Sequence, residues 1–364
     1  MPTRRNFLAG SVTAFAAMAT SSFAQAAPVP TSSDKKLGWA VVGIGSLTSN
    51  QILPAIAKCQ KSRLAALVTG HPEKAQPILA KFGLDQSSVY SYETFDKLAD
   101  NPAVDIVYIV LPNGMHLEYT TRAFKAGKHV LCEKPMANTS AECQQMIDAG
   151  KAAGKKLMIG YRCQYEPNNL KAIEIIRSGS SGNPKLIVAD HGFHMGDPTA
   201  WRLNKKLAGG GPLYDIGIYS LNATRYLTGE EPVSVTAQQT ENPSDPRFKE
   251  VEESMVWTMK FPSGCLATCT TSYNIPATNR IRVLLDRGMI DMEPATAYHN
   301  IKLRAPQPIQ IQTPDEFGAE MDYFSDCVMT SKDPKTPGEE GLRDLKLIEA
   351  IYESARSNKT VMLA

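Results

Sequence analysis

The chain has 364 residues, a net charge of +2 at pH 7, 21% charged and 43% hydrophobic residues, the make-up of an ordinary globular protein long enough for two domains. Its Lys and Arg are interspersed with Asp and Glu, which excludes an electrostatic footprint for nucleic acid or for a membrane surface. Seven scattered cysteines with no Cys-x-x-Cys pair read as small buried hydrophobes. No histidine shows zinc spacing, since His191 and His194 on a strand face opposite sides, and no metal is expected.

Arg4-Arg5-Asn6-Phe7-Leu8 precede a small-residue apolar stretch to about Ala19 and an A-x-A site at Ala24-Gln25-Ala26. This resembles a twin-arginine (Tat) signal peptide, so residues 1–26 are expected to engage the Tat export machinery, which moves folded proteins, and the mature protein is expected in the periplasm. The apolar part falls short of the roughly 20 residues a spanning helix needs, so no membrane association is expected after cleavage. Residues 27–36, with the Pro/Ser/Thr tract Pro28 to Ser33, read as a flexible arm.

From Leu37 to Tyr161, apolar strand-like runs alternate with helical patterns, which predicts a doubly wound parallel sheet. Strands are expected at Leu37–Val42, Arg63–Val68, Val89–Tyr90, Asp105–Val110, Lys128–Cys132 and Lys156–Gly160, with a helix at Ser140–Ala153 that stops at Gly154. Gly43-Ile44-Gly45-Ser46-Leu47-Thr48 follows the first strand and opens a helix, the context of a dinucleotide-binding turn in a Rossmann domain spanning 37–160. Gly43 permits the tight turn, and Gly45 lets the pyrophosphate approach the helix N-terminus. Thr48 stands where Gly or Ala is usual, and its extra branch should push the helix away from the strand.

An NAD site would carry an acid at the end of the second strand, roughly 20 residues on. This chain has Val68-Thr69-Gly70-His71-Pro72-Glu73-Lys74 instead. Thr69, the Gly70 and His71 backbone and Lys74 can surround a 2'-phosphate, which favours NADP. The alternative leaves Lys74 in solvent and turns Glu73 to the ribose of NAD.

Beyond Tyr161 the pattern becomes α+β. Helices are expected at Pro167–Arg177 and Pro212–Leu227, the second stopped by Gly229. Strand-like runs follow at Val233–Gln239, Glu252–Phe261, Cys265–Tyr273, Arg280–Leu285, Met289–Met292 and Ile301–Gln312, with turn signals at Pro262-Ser263-Gly264 and Asp286-Arg287-Gly288. Successive strands joined by short turns predict a large, mainly antiparallel sheet in a second domain, 161–364, closed by helices at Asp315–Met329 and Gly338–Ser357.

Two motifs point to chemistry. Leu131-Cys132-Glu133-Lys134-Pro135 ends the fifth strand, where ligands bind in open parallel sheets. Gly209-Gly210-Gly211-Pro212-Leu213-Tyr214-Asp215-Ile216-Gly217-Ile218-Tyr219 places Asp215 and Tyr219 four apart on one helical face. With Asn50 to Pro54, Leu111-Pro112-Asn113, His116, Ile159-Gly160-Tyr161-Arg162, Trp201-Arg202-Leu203 and Thr224 to Pro232, these motifs make the whole mature chain similar to the glucose-fructose oxidoreductase and inositol dehydrogenase superfamily. Tyrosine at 219, where many members place histidine, resembles the glucose-fructose branch and its aldose-aldose relatives.

The resemblance implies a sugar oxidoreductase with tightly bound NADP that oxidises an aldose at C1 to its lactone and passes the hydride to a second sugar, giving an alditol. A single-substrate aldose 1-dehydrogenase that exchanges its nucleotide stays open. So does a non-catalytic sugar-binding protein, which would have lost Lys134, Asp215 or Tyr219. Tyr219 is the implied base, its phenol, with an ordinary pKa of about 10, activated by the Lys134 cation. Asp215 would orient the sugar, and Arg162, Trp201, Arg202 and Tyr298 are candidates for the substrate wall.

Leu111, Asn113, His116, Glu133, Arg162, Trp201 and Arg202 fall on the implied cofactor side, His116 either facing the nicotinamide or satisfied as a structural histidine. The glucose-fructose enzymes carry a long proline-rich arm, whereas about ten residues separate Ala26 from Leu37 here. Nucleotide retention and tetramer assembly should therefore be weaker, and a homodimer through the antiparallel sheet is favoured.

Overall fold

The computed structural model of the chain describes residues 35–311 and 315–363. The expected export leader, its expected cleavage site and nearly all of the expected arm lie outside the described residues. In chain order the first half contains β1 (Leu37–Val42), a π-helical turn (Thr48–Ile52) running into α1 (Leu53–Ile56), β2 (Ser62–Val68), α2 (Gln76–Phe82), β3 (Val89–Tyr90), β4 (Ile106–Ile109), α3 (His116–Lys125), β5 (His129–Glu133), α4 (Ser140–Ala152) and β6 (Leu157–Gly160). Then follow α5 (Pro167–Arg177), β7 (Pro184–His194), α6 (Lys205–Ala208), a π-helical turn (Leu213–Gly217), α7 (Ile218–Thr228), β8 (Ser234–Thr240), β9 (Ser254–Lys260), β10 (Leu266–Ser272), β11 (Asn274–Leu285), β12 (Gly288–Met292), β13 (Leu303–Arg304), α8 (Glu316–Met329), α9 (Gly338–Ser357) and β14 (Val361–Met362).

Six parallel strands in the order β3-β2-β1-β4-β5-β6 form the first sheet, the doubly wound sheet expected. Its central strands β1 and β4 are buried at every residue, as a sheet covered on both faces requires. The helix α4 opens with a capping box between Thr139 and Glu142, which fixes where the chain turns away from β5. One face carries α3 and α4. The other is covered by α1, α2 and, from near the chain's end, α8, whose Phe317, Met321 and Phe324 pack on Trp39, Leu64 and Leu67. Trp39 meets Phe324 edge-on at 6.1 Å and donates its indole N–H to Ser325 Oγ at 3.1 Å. At the outer edge, Ile159 N–H donates to the Thr336 carbonyl at 2.8 Å, so that edge is paired too.

The second sheet has eight strands, ordered β13-β12-β11-β7-β10-β9-β8-β14. It is antiparallel except between β7 and β10, which run parallel. The middle strand β7 is expected of the sequence only as a strand holding His191 and His194, without bounds. Its inward positions are Ile187, Ala189 and His191, and a buried polar residue in the third place hides the alternation. Three other boundaries are corrected. Only Leu303–Arg304 of the expected strand Ile301–Gln312 pairs, because Pro306 and Pro308 have no N–H for a ladder, and Gln312 lies outside the described residues. The strand β11 begins at Asn274, its register shifting between Asn274 and Thr278. Val361–Met362 adds an unexpected edge strand beside β8.

All seven cysteines are buried and free. Among the described residues no helix is long and apolar enough to cross a membrane.

Candidate active site

The turn after β1 is built for close approach. Gly43 has φ 96°, and a Cβ there would lie 2.3 Å from the Val110 carbonyl oxygen, so only glycine fits. A Cβ on Gly45 would meet nothing within 4 Å, and the backbone there borders open space at the start of the helix that begins with exposed Ser46 and half-buried Leu47. This open cradle against a helix N-terminus fits a dinucleotide pyrophosphate. Thr48 fits inside the turn. It is fully buried and donates Oγ1–H to the Gly43 carbonyl at 2.6 Å, while the helix takes up the branch by widening into a π-turn over Thr48–Ile52.

At the end of β2, buried Thr69 accepts the His71 N–H on Oγ1 at 3.0 Å. Gly70, His71 and Lys74 are exposed beside it, and His71 Nδ1 sits 3.3 Å from Glu73. No acid closes the strand.

Lys134 follows the last residue of β5. Its ammonium donates to the Asp215 main-chain oxygen at 2.7 Å, inside the π-turn Leu213–Gly217, and lies 4.3 Å from the Tyr219 ring centroid. Asp215 and Tyr219 therefore reach one place through a π-turn followed by α-helix, not through one α-helical face. Asp215 Oδ2 accepts from Arg202 Nε and from the Tyr273 hydroxyl, each at 2.9 Å. Burial pushes the Asp215 carboxyl up, but the Arg202 and Lys134 charges outweigh it and hold the group below its ordinary value. Burial pushes Lys134 down, opposed by Asp215 and Glu133.

Arg162, expected in the substrate wall and on the cofactor side, is bonded to the phenol oxygen: its Nε donates to the Tyr219 hydroxyl at 3.3 Å, while Lys134 stands over the ring face. Arg162 is itself only 5% exposed, gripped by Glu316 and the Thr296 carbonyl. Burial raises the Tyr219 phenol above its ordinary value, with Arg162 pulling it back. Tyr298, 43% exposed, forms a lip over the Arg162 guanidinium at 4.5 Å, and Trp201 carries Arg202 at 4.6 Å.

Other residues of the expected cofactor side turn inward. His116 is fully buried, with Nδ1 2.9 Å from the Pro135 carbonyl and Nε2 2.8 Å from that of Leu111, so it ties two loops together and does not face the cleft. Asn113 donates to the Ala208 carbonyl at 2.7 Å, Glu133 accepts from the Tyr108 hydroxyl at 2.6 Å, and Leu111 packs beneath the Gly43 turn. Tyr273, Glu316, Thr296 and His191, which stacks on Tyr219 at 5.9 Å, were not legible in the sequence; none lies in a motif. Among the described residues no group of three or more His, Cys, Asp or Glu is placed to hold a metal.

Comparison with known proteins agrees with this architecture. Residues 37–161 match the model of an oxidoreductase family with an NAD-binding Rossmann fold, and residues 169–291 match that of the GFO/IDH/MocA C-terminal domain. A D-xylose 1-dehydrogenase (NADP(+)) from Haloarcula marismortui is 33% identical over 349 residues, covering 92% of this chain and 95% of that protein. A D-glucoside 3-dehydrogenase from Escherichia coli is 28% identical over 344 residues, 89% of this chain and 97% of that protein. The crystal structure of an aldose-aldose oxidoreductase from Caulobacter crescentus superposes with a TM-score of 0.87 at 49% identity, over 90% of this chain and 100% of that one.

Proposed function

The chain belongs to the GFO/IDH/MocA family of oxidoreductases, and from that premise we propose that it oxidises an aldose at C1 to the lactone and reduces a second sugar, fructose or another aldose, to an alditol, using one bound NADP. The observation that carries this reading is the convergence of Arg162 and Lys134 on Tyr219 beside the Asp215 carboxylate. Bound NADP would supply a hydride acceptor for the first sugar and a hydride donor for the second.

The protein's residues manage the proton and the hydroxyls. Tyr219 takes the proton of the C1 hydroxyl; the Arg162 charge favours the phenolate against burial, and the Lys134 ammonium over the ring is the second cation of the site. Asp215 Oδ1, which has no protein partner among the described residues, accepts from a sugar hydroxyl, while Arg202 and Tyr273 fix Oδ2. Tyr298 and Trp201 supply flat walls for the sugar's C–H faces. In the second half-reaction Tyr219 returns the same proton, so the pair of reactions consumes and releases none overall.

NADP is favoured by Thr69, the exposed Gly70 and His71 backbone and Lys74, with no acid to receive a ribose 2'-hydroxyl. Glu133, Leu111, Asn113 and His116 support the nucleotide's surroundings from below. The Arg4-Arg5 leader supports a periplasmic enzyme, and the short arm supports a dimer through the open face of the eight-stranded sheet.

The D-xylose 1-dehydrogenase relatives favour a second reading, a single-substrate dehydrogenase that exchanges its nucleotide. The test is to desalt the enzyme, add glucose alone and follow the nicotinamide absorbance, then add a second sugar. Reversal with alditol formation supports the two-sugar cycle, and turnover only with excess free NADP supports the plain dehydrogenase.

A further inference from the structure

The Thr296 carbonyl that grips Arg162 belongs to no helix or strand, so no ladder of main-chain hydrogen bonds fixes where it points. One side chain does. Asn279, on β11 and opposite His191 in register, accepts on Oδ1 from the Ala295 N–H at 2.9 Å, the Thr296 N–H at 2.8 Å and the Thr296 hydroxyl at 3.1 Å. Two main-chain N–H groups aimed at one atom demand an acceptor there, which assigns that atom as the amide oxygen.

The Thr296 hydroxyl also lies 2.9 Å from His191 Nε2, and Thr296 is only 5% exposed. The Ala295 N–H has a second acceptor in the Asn279 main-chain oxygen at 3.1 Å, but the Thr296 N–H has no other among the described residues. Thr296 is thus held at its main-chain nitrogen and at its side chain, and its carbonyl meets the Arg162 guanidinium, whose Nε donates to the Tyr219 hydroxyl. Removing the Asn279 amide leaves a buried N–H without an acceptor, and the segment must shift to find one.

We propose that Asn279 is a positioning residue for the reaction: through Thr296 it holds the Arg162 guanidinium at the Tyr219 hydroxyl. The proposal rests on Tyr219 being the base.

The test is a double-mutant cycle read by kinetics. Asn279→Ala should lower kcat about tenfold, the loss of one buried hydrogen bond, with KM for the sugar and nucleotide affinity unchanged. Asn279→Asp keeps an oxygen in the same place and should recover most of that kcat. In an Arg162→Lys background, where the guanidinium fork is already gone, Asn279→Ala should lower kcat by less than about twofold further, whereas a merely structural residue would cost the same in both backgrounds. Asn279→Ser, too short to reach the Thr296 N–H, gives the same readout if the alanine variant does not fold. Full kcat in Asn279→Ala or Asn279→Ser, equal losses in the two backgrounds, or no recovery in Asn279→Asp overturns the proposal. Tyr219→Phe separates the two claims: near-normal turnover there overturns the base itself, and a large loss there beside an unimpaired Asn279→Ala overturns the positioning role alone.

Discussion

The Arg162 guanidinium donates its Nε hydrogen to the Tyr219 hydroxyl at 3.3 Å, and Glu316, 154 residues further along the chain, grips the same guanidinium from behind. The oxygen assigned the proton is thus placed by a cation whose own position is set at the start of α8. Arg162 cannot turn away without breaking a buried ion pair, so the phenol has a fixed neighbour.

Tyr219→Phe keeps the ring between Lys134 and His191 but removes the oxygen. Turnover should fall by about two to four orders of magnitude, with nucleotide affinity, measured by fluorescence titration, unchanged. Arg162→Lys should also be impaired, because an ammonium cannot bridge Tyr219, Glu316 and the Thr296 carbonyl at once. A Phe variant with near-normal turnover would assign the proton to another group.

Burial pushes the Glu316 carboxyl up to about 7, with the Arg162 charge pulling the other way. Below that pH the carboxyl is protonated and its hold on Arg162 weakens, so kcat should decline on the acid side of about 7. Glu316→Gln cannot titrate. Its kcat should be lower than wild type at pH 8 and flat across this range, and an unchanged acid limb in the variant assigns the limb elsewhere.

His191 is bonded to Ser220 and Thr296 at 2.7 and 2.9 Å, and burial, reinforced by the Arg162 and Lys134 charges, pushes it down to about 3. A folded pKa below the unfolded value, about 6.5, means that its contribution to stability is present above that value and is lost as pH falls towards 3. His191→Gln, which keeps a donor and an acceptor, should show a shallower fall in Tm than wild type between pH 6.5 and 4. Parallel curves would sink the assignment.

The two glycines of the turn should separate folding from binding. Gly43→Ala forces a side chain into φ 96° and against the Val110 carbonyl, and should cost about 1–3 kcal/mol in denaturant unfolding. Gly45→Val fills open space, so stability should hold while NADP affinity falls about tenfold or more. Equal loss of both properties in both variants would contradict the cradle.

Changing Arg4 and Arg5 to Lys should leave full-length precursor in the cytoplasm, read by fractionation and immunoblot. Normal amounts of mature protein in the periplasm would exclude the twin-arginine route.

Where a residue's environment is made by neighbours in sequence, the chain was readable. The Gly43 turn, the capping of α4 and the bounds of α5 and α9 follow from local steric and capping rules, and the Lys134, Asp215 and Tyr219 constellation sits inside two compact motifs. What stayed hidden depends on distant packing. The bounds of β7 are obscured by buried His191, which is tolerable only because Ser220 and Thr296 come to meet it. Lys134 is legible as a cation for Tyr219 because both lie in motifs, whereas the Arg162 contact with the phenol needs Glu316 and Thr296, which no spacing rule connects to residue 162. His116 illustrates the converse: a motif histidine whose two ring nitrogens are spent on carbonyls.

The first sheet is finished by the last part of the chain. Trp39, Leu64 and Leu67 share their core with Phe317, Met321 and Phe324 of α8, and the β6 edge is paired at Thr336. As the polypeptide leaves the ribosome from its N-terminus, the nucleotide-binding half must wait with one face covered by α1 and α2 alone and one edge bare until residues near 340 have emerged. Binding a dinucleotide early cannot substitute for that cover, since the Gly43 turn and α8 serve different parts of the sheet. Any translation product that stops before α8 should therefore be captured by chaperones or aggregate.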